Sequence, residues 1–138
     1  MPGDADVTTA AYRHRGDAYS VARGTGSPVV FSHGTLMDRT MFAPQLSALS
    51  DDYRTIAYDS RARTDRYRGS YDLTALADDC AALMDHYDLD SAVLAGMSMG
   101  GFMGLQFALR HPDRLDGLVL IDSMAAPHTE AERERYGG

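Results

Sequence analysis

Residues 94–104 read LAGMSMGGFMG: an apolar run, then Ser98 held between Gly96 and Gly100, then further apolar residues. A serine hydroxyl is a weak nucleophile, so a site that uses one must expose it and stabilise the negative oxygen formed on attack. A sharp turn from a strand into a helix does both. It lifts the side chain clear of the backbone and sets it at a helix N-terminus, where unpaired N–H groups and the helix dipole favour an anion. Such a turn crowds its own backbone, which predicts glycine at 96 and 100 because larger side chains would clash. The residues GMSMG match the G-x-S-x-G pattern of that turn. Their setting matches too: SAVLAGM (91–97) reads as a strand and MGGFMGLQFALRH (99–111) as a helix stopped by Pro112. Gly101 and Gly104 are expected to let that helix lie close on a sheet. A bare pentapeptide of this kind also arises by chance, as a glycine-rich turn with an incidental serine; the strand before it and the helix after it weigh for function.

Outward from this turn, strand and helix patterns alternate, which predicts a mostly parallel sheet of about six strands flanked by helices. AAYRHRG (10–16) and AYSVARG (18–24) read as two short strands joined by a turn at Gly16-Asp17. SPVVFSHG (27–34) is a buried strand ending in a turn, and YRTIAYDS (53–60) is the next strand. Asp38 can cap a helix bearing Phe42, Leu46 and Leu49 on one face. Asp72 caps a second helix, on which Leu73, Leu76, Ala77, Cys80, Leu83, Met84 and Tyr87 form the apolar face and Asp78, Asp79 and Asp85 face water. LDGLVLIDS (115–123) is a last strand, and the polar PHTEAERERYGG (127–138) at most begins a helix.

A second element agrees with the serine. VVFSHGTLMD (29–38) ends a buried strand in His33-Gly34 and continues as a loop. An oxyanion hole needs two converging backbone N–H groups, and Thr35 and Met99 are the candidates to supply them. Losing one such donor typically costs about 2.7–4 kcal/mol of transition-state stabilisation. His33 is read as shaping the loop through a structural hydrogen bond rather than moving protons.

FSHGTLMD, YDSRART, GMSMGG and HPDRLDGLVLIDS follow one another in the order and approximate spacing of the α/β-hydrolase fold. From about residue 18 to residue 125 the chain resembles the single-domain esterase, lactonase and cofactor-free haloperoxidase-like members of that family. The resemblance implies that Ser98 is the nucleophile, that Thr35 and Met99 form the oxyanion hole, and that the substrate is a small carboxylic ester, lactone or related acyl compound. It implies no metal and no organic cofactor. Members with an aspartate nucleophile are dehalogenases and epoxide hydrolases, and a serine argues against both.

Two departures from the family stand out. Relatives often carry glycines where Ala62 and Thr64 stand, and the loop YDSRARTDRYRGS (58–70) carries Arg61, Arg63, Arg66 and Arg68. These could attract a carboxylate substrate, but the loop reads more simply as a solvated one offsetting Asp59, Asp65 and Asp72. The larger departure is length. The family's sheet has eight strands, its acid follows the seventh and its histidine the eighth, so both partners are expected beyond Gly138. Residues 1–138 are thus expected to be a single α/β-hydrolase-type domain truncated before the lid and the last two strands. Within the chain, Asp122 occupies the end of the sixth strand, where some members place the acid. His14 lies in a first, peripheral strand, His86 sits near the end of the helix capped by Asp72, and His111 is roughly 18 Å from Ser98 at 1.5 Å per residue. His128 reaches the serine only if the tail folds back.

Loss of the base in a serine triad costs on the order of 10⁶ in turnover, leaving ~10³–10⁴ over water from the oxyanion hole and binding. The competing reading is therefore a catalytically inactive truncated copy, or a complementing subunit that self-associates through the open, apolar edge of the last strand. A third keeps the serine but turns the chemistry to acyl transfer or a lyase.

Composition narrows the partners. The net charge is −7, the acids are nearly all aspartate and the cations are all arginine. Such a surface disfavours nucleic acid and anionic membranes. It also resembles the surfaces of salt-loving organisms, predicting a fold that needs screening salt, although codon bias in a GC-rich genome gives the same composition. No apolar run approaches a membrane span and the N-terminus lacks a signal peptide, so a cytoplasmic location is expected. The lone Cys80 is expected to be buried.

Overall fold

A computed structural model describes residues 20–34, 37–60 and 72–121. The elements in chain order are β1 (Ser20–Arg23), β2 (Ser27–Ser32), a 3-10 turn (Arg39–Phe42) running into α1 (Ala43–Leu49), β3 (Tyr53–Tyr58), α2 (Leu73–His86), β4 (Ala92–Met97), α3 (Met99–Arg110) and β5 (Leu115–Ile121). The five strands form one sheet in the order β1-β3-β2-β4-β5. β1 runs antiparallel to β3, and all other neighbours are parallel. About six strands were expected; five are described, and AAYRHRG, the remaining candidate, lies outside the described residues.

The period of two in β2, β3 and β4 sorts their residues onto two faces. Val30, Ile56 and Leu94 turn toward α2 and α3 and pack with Leu83, Met84, Met103 and Phe107. Their immediate neighbours Phe31, Ala57 and Ala95 turn the other way, against Phe42 and Leu46. Phe31 and Phe42 meet there with ring centroids 5.0 Å apart. Leu83, Leu94 and Phe107 are completely or almost completely buried, and each such side chain contributes about 1.5–3 kcal/mol over an exposed one. The strands before each turn are therefore clamped from both sides, which is what gives their C-terminal ends fixed positions.

The caps fall where the sequence puts them. Asp38 accepts a hydrogen bond from the Thr40 amide, and Asp72 accepts one from the Ala75 amide at 2.8 Å. α3 ends at Arg110, one residue before His111-Pro112. Cys80 is buried, and that burial pushes its thiol up to about 12.

Two assignments on α2 need correction. Leu73, expected on the apolar face, is 37% exposed at the first position of the helix, before α2 reaches the sheet. Asp79, expected to face water beside Asp78 and Asp85, is only 1% exposed. Its spacing explains this: Leu76, Asp79, Cys80 and Leu83 lie at i, i+3, i+4 and i+7, so Asp79 belongs to the stripe that packs inward. Asp78 and Asp85 do face outward, with Asp78 meeting Arg110 and His111, and Asp85 meeting Arg114.

Candidate active site

The sheet order fixes where a site can form. From β2 the chain moves to β3 on one side, then crosses to β4 on the other, so β2 and β4 are the pair at which the order reverses. In open α/β sheets, ligands bind outside the carboxyl ends of the strands at such a switch point. Here those ends carry Ser32-His33-Gly34 and Met97-Ser98-Met99.

Ser98 sits between β4 and α3 with φ +52° and ψ −113°, a left-handed conformation that a serine adopts only under constraint. The constraint comes from glycines on either side. A Cβ at Gly96 would lie 2.3 Å from the Gly100 carbonyl oxygen, and one at Gly100 would lie 2.2 Å from the Ser32 carbonyl oxygen. Both are far inside contact distance and both neighbours are backbone, so glycine is required at each position. Gly104 brings α3 near β5, where a Cβ would meet Leu118 Cδ1 at 2.7 Å.

Hydrogen bonds complete the turn. The Ser98 amide donates to the Ile121 carbonyl of β5 at 3.0 Å, while the Ser98 carbonyl accepts from Gly101 and Phe102 and starts the helical ladder. The Ser98 side chain does not cap the helix. Met99 is the first helical residue, so its amide precedes that ladder at the positive end of the α3 dipole. Ser98 and Met99 are both half-buried.

The loop after β2 comes to the same place. A Cβ at Gly34 would lie 3.4 Å from Ser98 Cβ and 3.3 Å from the Met97 carbonyl oxygen. His33 fixes this loop from behind. Its Nδ1 is 2.8 Å from the Gly34 carbonyl oxygen, and its Nε2 lies 2.8 Å from the Ser60 amide nitrogen at the end of β3. The amide can only donate and the carbonyl can only accept, so both bonds together assign a neutral ring with its proton on Nδ1. With both nitrogens engaged and the side chain buried, His33 shapes the loop, as its sequence context suggests.

Beside it, the Arg39 amide donates to Asp59 Oδ1 at 2.8 Å and the Arg39 guanidinium pairs with Asp59 Oδ2. Asp59 is buried against Arg39 and Asp72 caps α2, while the loop arginines expected to offset Asp59, Asp65 and Asp72 lie outside the described residues. The Arg39 pairing was not anticipated, since nothing local links two residues twenty positions apart.

Of the residues singled out in the sequence, Ser98, Met99 and the Gly34 end of the β2 loop are brought together. Thr35 and Asp122 lie outside the described residues, as do His14, His128 and the arginine-rich loop from Arg61 to Arg68. His111 is at the far end of α3, its Nε2 3.0 Å from Asp78 Oδ1. His86 ends α2, which leads into the start of β4, the end opposite Ser98. Among the described residues, no three His, Cys, Asp or Glu side chains gather as a metal site, and no helix is long and apolar enough to cross a membrane.

A family profile for the alpha/beta hydrolase fold matches residues 27–137. The chain is 37% identical over 108 residues to "Putative carbamate hydrolase RutD" of Caulobacter sp. (strain K31), a match covering 76% of this chain and 40% of that protein. Among solved structures it is similar to a thermophilic esterase from Thermogutta terrifontis, with a TM-score of 0.75 and 39% identity over 84% of this chain and 44% of that one. The enol-lactonase from Burkholderia xenovorans LB400 gives a TM-score of 0.71 and 31% identity over 76% of this chain and 43% of that one. The chain thus spans less than half the length of these relatives. On the profile match, the shared architecture and the strained serine turn, this chain belongs to the α/β-hydrolase fold family.

Proposed function

We propose that this chain carries the nucleophile half of a serine hydrolase acting on a carboxylic ester, lactone or related small acyl substrate. The observation that carries the reading is Ser98: a non-glycine residue held at φ +52° on a strand-to-helix turn, at the sheet's switch point. A strained conformation maintained by two obligatory glycines fits a side chain presented for chemistry.

In this reading the Ser98 hydroxyl attacks the carbonyl carbon as a histidine accepts its proton. The carbonyl oxygen becomes an oxyanion held by the amides of Thr35 and Met99, the first beside Gly34 and the second at the start of α3. The tetrahedral intermediate collapses with the proton passed to the leaving group, and water then releases the acyl group by the same route. None of the three described histidines serves as the base: both nitrogens of His33 are engaged, and His86 and His111 lie away from the turn. The base therefore comes from outside the described residues, with Asp122 as a candidate acid. The substrate range draws support from relatives named as an esterase and an enol-lactonase. No cofactor enters this chemistry, and neither nucleic acid nor membrane is a partner on this reading.

β5 favours a second reading, a partial copy or complementing subunit that pairs through the sheet edge. It ends the strand order and is only half-covered, with Val119 49% exposed. A fluorophosphonate probe separates the two. It is applied to this chain in high salt, with Ser98→Ala as the control. Labelling that disappears in the variant supports an activated serine. A folded chain that resists the probe leaves the turn built but without a base, and favours the complementing subunit.

A further inference from the structure

Beneath the serine turn lies a small cavity with a polar side that the proposed chemistry does not use. Ser32, Tyr58, Ser60 and Asp79 supply the polar part of its wall, Leu76 and Met103 the apolar part, and Met99 and Gly100 close it from the side of the turn. The four polar residues are all more than nine-tenths buried. Ser32 Oγ and Tyr58 Oη lie 3.2 Å apart and bond to one another. Ser60 behaves differently. Its amide is committed to His33, yet its buried hydroxyl oxygen has no hydrogen-bond partner among the described residues.

A buried hydroxyl without a partner is costly, and native structures satisfy such groups with protein or with ordered water. The cavity has about 10 Å³ of room for the centre of a water-sized sphere. That is close to the roughly 10–15 Å³ that one molecule needs. A buried water also needs two to four polar partners, and the wall offers three hydroxyls and a carboxyl group. Size, polar partners and an unsatisfied group therefore coincide.

We infer that this cavity is a binding site for a single structural water, which bridges the Ser60 hydroxyl to the Asp79 carboxyl group and to the Ser32–Tyr58 pair. The water links the end of β3, the buried face of α2 and the underside of the Ser98 turn. Nothing in the inference depends on hydrolase activity, so it stands or falls separately from the function proposed above.

A crystal structure of this chain, at a resolution that shows ordered solvent, tests it directly. The expected result is one water within about 3.2 Å of Ser60 Oγ and of at least two among Asp79, Ser32 and Tyr58. Ser60→Val fills the space and is expected to lose that water. Ser60→Ala leaves room, and is expected to keep the water on its remaining partners even if the valine variant does not fold. A direct bond from Ser60 Oγ to another protein atom in the wild type overturns the inference. So does a protein side chain in the cavity, or wild-type density without the water.

Discussion

At its N-terminal end α3 starts from Ser98, whose backbone is pinned at φ +52° by glycines packed at contact distance. At its C-terminal end it stops on His111, whose ring bonds Asp78 at 3.0 Å while Arg110 grips the same carboxylate through two nitrogens. One helix thus has a serine at one end and, at the other, a histidine paired with an aspartate of α2, so that the three residue types of a catalytic triad stand at its two ends. Twelve residues separate them, roughly 18 Å of helix, so they cannot act together. The comparison separates two ways of fixing a residue. The serine end is fixed by backbone sterics that tolerate no added atom. The histidine end is fixed by side-chain bonds between α2 and α3, each replaceable at small cost. Residue type alone does not make a catalytic group; the position of the backbone does.

Substitutions can break this contrast. Gly100→Ala should be the most damaging, because its Cβ would sit 2.2 Å from the Ser32 carbonyl oxygen and neither backbone segment can yield. A loss of more than about 3 kcal/mol is expected from urea unfolding, and a near-wild-type midpoint would mean that the turn is not packed as described. Ser98→Gly should move stability the other way. Glycine accepts the left-handed conformation freely, so even after its greater unfolded-state entropy a gain of about 1 kcal/mol is expected. An unchanged or lower midpoint would show that Ser98 is held there without strain.

At the other end, partial burial pushes the Asp78 carboxyl up, but its bonds to Arg110 and His111 outweigh that and hold it below its ordinary 3.8. A lowered folded-state value means that the pair stabilises the fold above about pH 4 and fades as pH falls through the folded value. Asp78→Asn should therefore flatten the acid limb of the stability profile. Because the pair is substantially exposed, less than about 1 kcal/mol is at stake near neutral pH. An acid limb identical to wild type would remove the clasp from the account. The smallest effect belongs to Gly104→Ala. Its Cβ would meet only the tip of Leu118, a flexible side chain, and alanine's better helix propensity offsets the adjustment. A change within about 0.5 kcal/mol is expected in the same assay; a loss as large as that of Gly100→Ala would mean that α3 is packed on glycine throughout rather than at its start.

The serine turn was legible in the sequence because its requirements are local: glycines two residues either side of Ser98, an apolar strand before and an amphipathic helix after. The same holds for the caps at Asp38 and Asp72 and for the loop-shaping role of His33. Asp79 was misread although its spacing from Leu76 and Leu83 held the answer; its charge was given more weight than its period. The Arg39–Asp59 pair and the bond from Asp78 to His111 had no sequence signal. Each joins residues that meet only once the sheet order is set. Thr35 and Asp122, the other residues chosen for the site, fall outside the described residues, so that part of the expected site stays a proposal.

The amide of Ser98 is bonded to the carbonyl of Ile121, the last residue of β5. The strained backbone of the serine turn is thereby moored to a strand only half-covered. A one-residue slip of β5 against β4 would exchange inward and outward side chains and would also carry the Ile121 carbonyl out of register with Ser98. Alignment at the rim of the sheet is thus felt at its centre through one hydrogen bond, and whatever steadies β5 tunes the serine.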